Sequence, residues 1–158
     1  MVNYAVENFD KEHMAKAISL ALPISTKYAC EICTMLRGRE LSMAKNLLEK
    51  VITKEHAVPF KRHFKNIGHR KKIGPGRYPF KASKEILKLL LQVEANAQFK
   101  GLNTSSLFIS HICANKAGVV WHRGRQRRIR MKRTNVEVAV VERAANKEKQ
   151  NKKKTDKK

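Results

Sequence analysis

The sequence predicts an α+β domain with a β-hairpin arm, and three observations lead there. Three stretches carry apolar residues at helical spacing behind residues suited to helix caps. Two strand-like runs, Leu107 to Ala114 and Val136 to Val141, flank a basic segment. That segment, Gly118 to Thr134, holds Arg123, Arg125, Arg127, Arg128, Arg130, Lys132 and Arg133, and the chain has no Asp or Glu between Glu94 and Glu137. Like charges packed this densely repel and resist desolvation. They predict an arm that does not fold back onto its own domain and needs an external polyanion.

Taken in order, Met1 to Glu12 is a short polar lead. Lys16 to Ile24 fits two patterns. Met14, Ala17, Ile18 and Ala21 fit a helix face, while Ile18, Leu20, Leu22 and Ile24 fit strict alternation. Pro23 argues against a helix interior and confines a strand to an edge or an end. Ser25 is suited to cap the first helix, whose face is Ala29, Ile32, Cys33 and Leu36. Gly38 is placed to stop it in a left-handed conformation. Ser42 is suited to cap a second helix with Ala44, Leu47, Leu48, Val51 and Ile52 as its face, and the two should meet as a corner or hairpin.

From His56 to Lys84 the composition changes to nine Lys and Arg with no acid, broken by Pro59, Gly68, Gly74, Pro75, Gly76 and Pro79. This reads as a long, irregular basic loop, with Gly74-Pro75-Gly76 as a turn. Phe60, Phe64, Tyr78 and Phe80 could pin it to the core or stack on bases. Ser83 is suited to cap a third, longer helix with Ile86, Leu90, Val93 and Ala97 on one face, broadened by Leu87, Leu89 and Leu91, and Gly101 ends it. The hairpin follows, with strands Ser105 to Ala114 and Val136 to Arg143 around the arm. Val136, Val138 and Val140 alternate as in a half-buried strand. The tail from Ala144 to Lys158 has no core-forming residues and is expected to order only on binding.

The chain of 158 residues has the length of one domain with tails, here 1–143 with the loop 56–84 and the arm 115–135 inside it, followed by the tail 144–158. Its formal net charge of +22 points to nucleic acid first and an anionic membrane surface second. No apolar run approaches the roughly 20 residues of a membrane span. Met1 to Asp10 lacks an apolar secretory core, which predicts a protein that is not exported. The three cysteines form no disulfide framework, so a reducing, cytoplasmic setting is expected.

Arginine binds phosphate bidentately and stacks on bases, so its dominance in the arm favours structured nucleic acid over a membrane. The expected phosphate-binding residues are Lys61, Arg62, His63, Lys65, Arg70, Lys71, Lys72 and Arg77 of the loop, with Lys116, Arg123, Arg125, Arg127, Arg128, Arg130, Lys132 and Arg133 of the arm. A merely solvated basic surface is the competing account of both segments. Trp121 could stack on a nucleotide, stack on an arginine or pack the hairpin. Cys30 and Cys33 form a C-x-x-C pair, but no second pair has zinc spacing. Cys33 lies on the apolar helix face, Cys113 stands alone and the six histidines are scattered, so no metal site and no cofactor are expected. Gly74 to Gly76 does not match a phosphate-cradling loop, and the acids look solvent-facing, so no enzyme is expected. A free-standing nucleic-acid-binding protein of regulatory or chromatin type is the alternative. An RNA-processing enzyme using His63, His69 or His111 is a third.

Several stretches together resemble one family, the large-ribosomal-subunit protein numbered twenty-two in bacteria and seventeen in eukaryotes, in its archaeal and eukaryotic branch. They are Tyr4-Ala5-Val6-Glu7-Asn8, Leu36-Arg37-Gly38, Val58-Pro59-Phe60-Lys61-Arg62-His63, Gly76-Arg77-Tyr78-Pro79, Glu94-Ala95-Asn96-Ala97 with Lys100-Gly101-Leu102, and the hairpin. Together they run along nearly the whole chain. The resemblance implies a three-stranded antiparallel sheet with three helices and a long protruding β-hairpin, and so makes Lys16 to Ile24 a strand. It implies a monomer within the large subunit, bound to rRNA and neighbouring ribosomal proteins, with no membrane contact. The hairpin tip would line the polypeptide exit tunnel and meet the nascent polypeptide. By position the tip is about Trp121 to Arg128, with Trp121, His122, Arg123, Gly124, Arg125 and Gln126 as tunnel residues.

Overall fold

A valine-rich strand near the C-terminus lies at the centre of the main sheet, as seen in a computed structural model that describes residues 4–6, 10 and 12–142. The Lys-rich tail, 144–158, lies outside the described residues. The elements in chain order are β1 (Met14–Leu22), α1 (Thr26–Leu36), α2 (Leu41–Ile52), β2 (Val58–Pro59), β3 (His69–Arg70), β4 (Gly74–Arg77), α3 (Phe80–Phe99), β5 (Leu107–Lys116), β6 (Val120–Trp121), β7 (Arg130–Met131) and β8 (Thr134–Glu142). The α+β class, the three helices and the three-stranded antiparallel sheet all appear as the sequence led us to expect. The sheet order is β1-β8-β5.

β1 is a strand at the sheet edge, the position that Pro23 allows. Its ladder on β8 shifts register between Ser19 and Leu22, where Ala21 takes a φ of +54°. Asn135 Oδ1 accepts the Ala21 N–H at 2.8 Å, so the bulged backbone keeps a partner. β8 differs from expectation. Val136 to Val140 are all buried, Glu137 and Ala139 included: β8 is the central strand, the helices lie on one face, and Ala5 meets Glu137 on the other.

The helices cover one face of the sheet. Their buried stripes are Ala29, Ile32, Cys33 and Leu36 on α1, Leu41, Ala44, Leu48 and Val51 on α2, and Ile86, Leu89, Leu90, Val93 and Ala97 on α3. Truncating a leucine as enclosed as Leu90 removes about 2–5 kcal/mol. α1 packs on β5, while α2 packs mainly on α3. Leu91, read as core, is half exposed, since a helix flanked on one side buries only one stripe. Asn96 Nδ2 and Lys100 Nζ donate to the Lys16 and Met14 carbonyls and tie α3 to the edge strand.

The expected N-caps do not form. Ser25 occupies the N-cap position of α1 but makes no side-chain cap hydrogen bond, and α2 and α3 start earlier than expected, behind Glu40 and Pro79. Proline's fixed φ preorganises the entry to α3. Ser83 thus falls inside the first turn, buried. Gly38 and Gly101 do follow their helices at φ +72° and +75°.

The basic segment 56–84 is also more ordered than expected. β2, β4 and β3 form a small antiparallel sheet, and Gly74-Pro75-Gly76 is strand rather than turn. Gly76 is enclosed, and a Cβ there would lie 3.3 Å from the Val58 carbonyl oxygen and from Arg70 Cγ.

Candidate nucleic-acid interface

The arm begins where β5 and β8 run out. Their pairing reaches Lys116 opposite Thr134, the Ala117 N–H donates to the Arg133 carbonyl, and β6 pairs with β7 as Val120 opposite Met131 and Trp121 opposite Arg130. The chain reverses in a 3-10 turn at Gly124–Gln126, with Gly124 at φ +67°. The His122 N–H donates to the Ile129 carbonyl just below it. Arg130 lies 4.8 Å from the Trp121 ring centroid, a cation–π contact across the two strands.

Arg123, Arg125, Arg127, Arg128, Arg130 and Lys132 are exposed, and Arg133 is half-buried. The arm nevertheless leans against its own domain. His122, Ile129 and Arg130 to Arg133 share a cleft of about 580 Å³ with Ala21, Pro23 and Lys81. The like-charge argument for an arm wholly clear of the body fails here, because the guanidinium groups stay in water while Ile129 and Met131 supply apolar wall.

A second cleft, of about 460 Å³, joins arm to loop. Phe64 meets Lys116, Arg130, Lys132 and Arg133 there, together with Lys27 at the start of α1. Among the described residues no acidic side chain lines it. Phe64 sits at φ +56°, is 38% exposed, and packs edge-on against Tyr28 at 5.8 Å. Tyr28 in turn packs edge-on on buried Phe60 at 5.4 Å. The Lys27 ammonium lies 4.9 Å from the Phe64 centroid, and Arg77 donates to the Tyr28 hydroxyl at 2.7 Å.

The loop is anchored from below by Glu31. This carboxylate is buried in α1 and accepts the backbone N–H groups of Lys61 at 3.1 Å, Arg62 at 2.9 Å and His63 at 2.5 Å. Lys61, Arg62, Lys65, Arg70, Lys71, Lys72 and Arg77 are exposed, with Arg70 lying over the Tyr78 ring at 5.3 Å, while His63 is half-buried. Of the residues expected to bind phosphate, Lys116, Arg130, Lys132 and Arg133 meet loop residue Phe64 in one cleft. His69, Arg70 and Lys71 line a separate one with Glu55 and Tyr78. Sequence reasoning missed Lys27, Lys81 and Glu31, since nothing linear distinguishes them.

It also missed a polar group across β5 and β8. Glu137, buried, lies 3.1 Å from His111 Nε2 and accepts from Cys113 Sγ at 2.9 Å and from the Ala5 N–H at 3.2 and 3.1 Å. Burial raises a carboxyl's pKa, yet the Cys113, Ala5 and His111 hydrogen bonds outweigh it and hold Glu137 below the ordinary carboxylate value. The Cys113 thiol is pushed up to about 12, first by burial and then by its bond to Glu137. Cys33 is buried and free, and its thiol is also pushed up, chiefly by burial.

The family described as Ribosomal protein L22p/L17e matches residues 17–143. Three archaeal proteins named Large ribosomal subunit protein uL22 are similar along most of the chain. That of Methanopyrus kandleri is 45% identical over 146 residues, 87% of this chain and 92% of its own. That of Archaeoglobus fulgidus is 46% identical over 122 residues, 75% and 79% of the two chains. That of Methanocaldococcus jannaschii is 50% identical over 108 residues, 66% and 69%.

Proposed function

The chain belongs to the Ribosomal protein L22p/L17e family, and on that premise we propose that it is a structural, non-enzymatic constituent of the large ribosomal subunit. Its setting is the cytoplasmic ribosome, and its partners are large-subunit rRNA and neighbouring ribosomal proteins. The arm and the basic loop bind rRNA. Lys116, Arg123, Arg125, Arg127, Arg128, Arg130, Lys132 and Arg133 act from the arm. Lys61, Arg62, His63, Lys65, Arg70, Lys71, Lys72 and Arg77 act from the loop. The turn at Gly124–Gln126 and its flanks, Trp121 to Arg123, line the exit tunnel and meet the nascent polypeptide.

The observation that carries this reading is the cleft in which Lys116, Arg130, Lys132 and Arg133 of the arm base and Lys27 of α1 form a basic wall around loop residue Phe64, with no acid among the described residues that line it. Guanidinium and ammonium groups on that wall neutralise phosphates from rRNA segments that would otherwise repel, and counterion release supplies much of the affinity. Glu31 holds the loop backbone before RNA arrives, which lowers the ordering cost of binding.

Ultraviolet cross-linking of the chain in isolated large subunits tests the assignment. Cross-linked nucleotides should appear on peptides from 61–77 and 116–133. Cross-links confined to other peptides would remove the arm and loop from the interface.

A further inference from the structure

His111, Cys113 and Glu137 are the one group among the described residues with three potential metal-ligand side chains in reach of a single ion. Their ligand atoms all lie within 4.8 Å of one another. Strand geometry brings them together: His111 and Cys113 are two apart on β5, so they share a face, and Cys113 pairs with Glu137 on β8. We propose that these three residues form a binding site for a divalent transition metal, zinc by preference, that clamps β5 to β8.

The donor set selects the metal. A thiolate, an imidazole and a carboxylate suit zinc, whereas magnesium and calcium take oxygen ligands. Bonds of about 2.0–2.3 Å in a tetrahedron put ligand atoms about 3.3–3.7 Å apart. The separations of 2.9 Å from Cys113 Sγ and 3.1 Å from His111 Nε2 to Glu137 Oε1 need to open by about half an ångström, while the His111–Cys113 separation, within 4.8 Å, closes by up to about 1.3 Å. Glu137 is 3% exposed while His111 and Cys113 are half-buried, so the site has a desolvated floor and an open approach. Three protein ligands leave a fourth position for water.

Supporting contacts are present as well. The Ala5 N–H reaches both Glu137 oxygens, so one can stay bonded while the other ligates. The Asn115 amide donates to Cys113 Sγ at 3.5 Å, a contact that favours thiolate. Binding replaces the Cys113 S–H bond with an S–metal bond and releases that proton to solvent. Thiolate plus carboxylate then balance the dication. This reverses the linear reading of Cys113 as a lone residue, because the ligands are brought together only by strand pairing.

The test uses the full chain, reduced and stripped of metal, titrated with cobalt(II) and then with zinc against a chromophoric chelator. We expect one cobalt per chain with a thiolate-to-cobalt charge-transfer band, displacement by zinc, and about one proton released per metal bound. The band should disappear in Cys113→Ser and persist in Cys30→Ser. Failure of the wild-type chain to give a band at stoichiometric cobalt would overturn the proposal whatever the variants do. So would a band lost in Cys30→Ser but kept in Cys113→Ser.

Discussion

Glu31 on α1 accepts the backbone N–H of His63, thirty-two residues away, at 2.5 Å, and the same carboxylate accepts from Arg62 and Lys61. A negative charge buried beneath a positively charged loop fixes the loop's backbone while its side chains stay in solvent. Charge-assisted bonds of this kind are worth about 1.5–3 kcal/mol each. Glu31→Gln should therefore destabilise the fold by about 2 kcal/mol or more. It should also speed amide exchange at Lys61, Arg62 and His63 before any other region. Unchanged protection at these amides would contradict the anchoring role.

Local pattern made much of this fold readable. The buried faces of α1 and α3 and the left-handed glycines 38 and 101 follow from spacing and backbone chemistry. The basic residues of loop and arm were legible because acids are missing there. What could not be read depends on contacts between distant residues. Glu31 looks like an ordinary helix-surface acid, and Glu137 like an outward residue on an alternating strand. Both are buried because other segments close over them. Ser25 does sit at the start of α1, but the starts of α2 and α3 were missed because Ser42 and Ser83 matched the cap pattern, whereas Glu40 and Pro79 take those positions.

Ser83 is one consequence of that shifted start. Its hydroxyl is buried and finds no hydrogen-bond partner among the described residues. Ser83→Ala removes an unpaired polar group at a helical site, so it should raise stability by about 1 kcal/mol. Urea denaturation would register the gain. A decrease in stability would mean that the hydroxyl has a partner.

Alkaline pH should weaken the fold through Cys33. Burial raises the folded thiol above its unfolded value, so the folded state keeps the proton longer. That contribution is full below the unfolded thiol pKa of about 8.5 and declines as pH rises beyond it, by up to about 1.4 kcal/mol per pH unit. Cys33→Ala should show a shallower loss of stability between about pH 8.5 and 9.5 than the unaltered chain. Equal slopes would exclude Cys33 as the source.

Removing Arg125, Arg127 and Arg128 together by alanine substitution should leave the melting temperature almost unchanged, since all three are exposed. Binding to large-subunit rRNA should weaken at every salt concentration. The slope of log K against log salt should become shallower by about one for each phosphate that the variant no longer neutralises. An unchanged slope would show that these arginines do not touch phosphate.

The central claim is that this chain is built into the large subunit through a basic arm and loop. The most direct measurement is sedimentation of a native-host lysate on a sucrose gradient, probed for this chain before and after a high-salt wash. Co-migration with large subunits that survives the wash is the predicted result. Migration at the top of the gradient, or with DNA, would contradict the account.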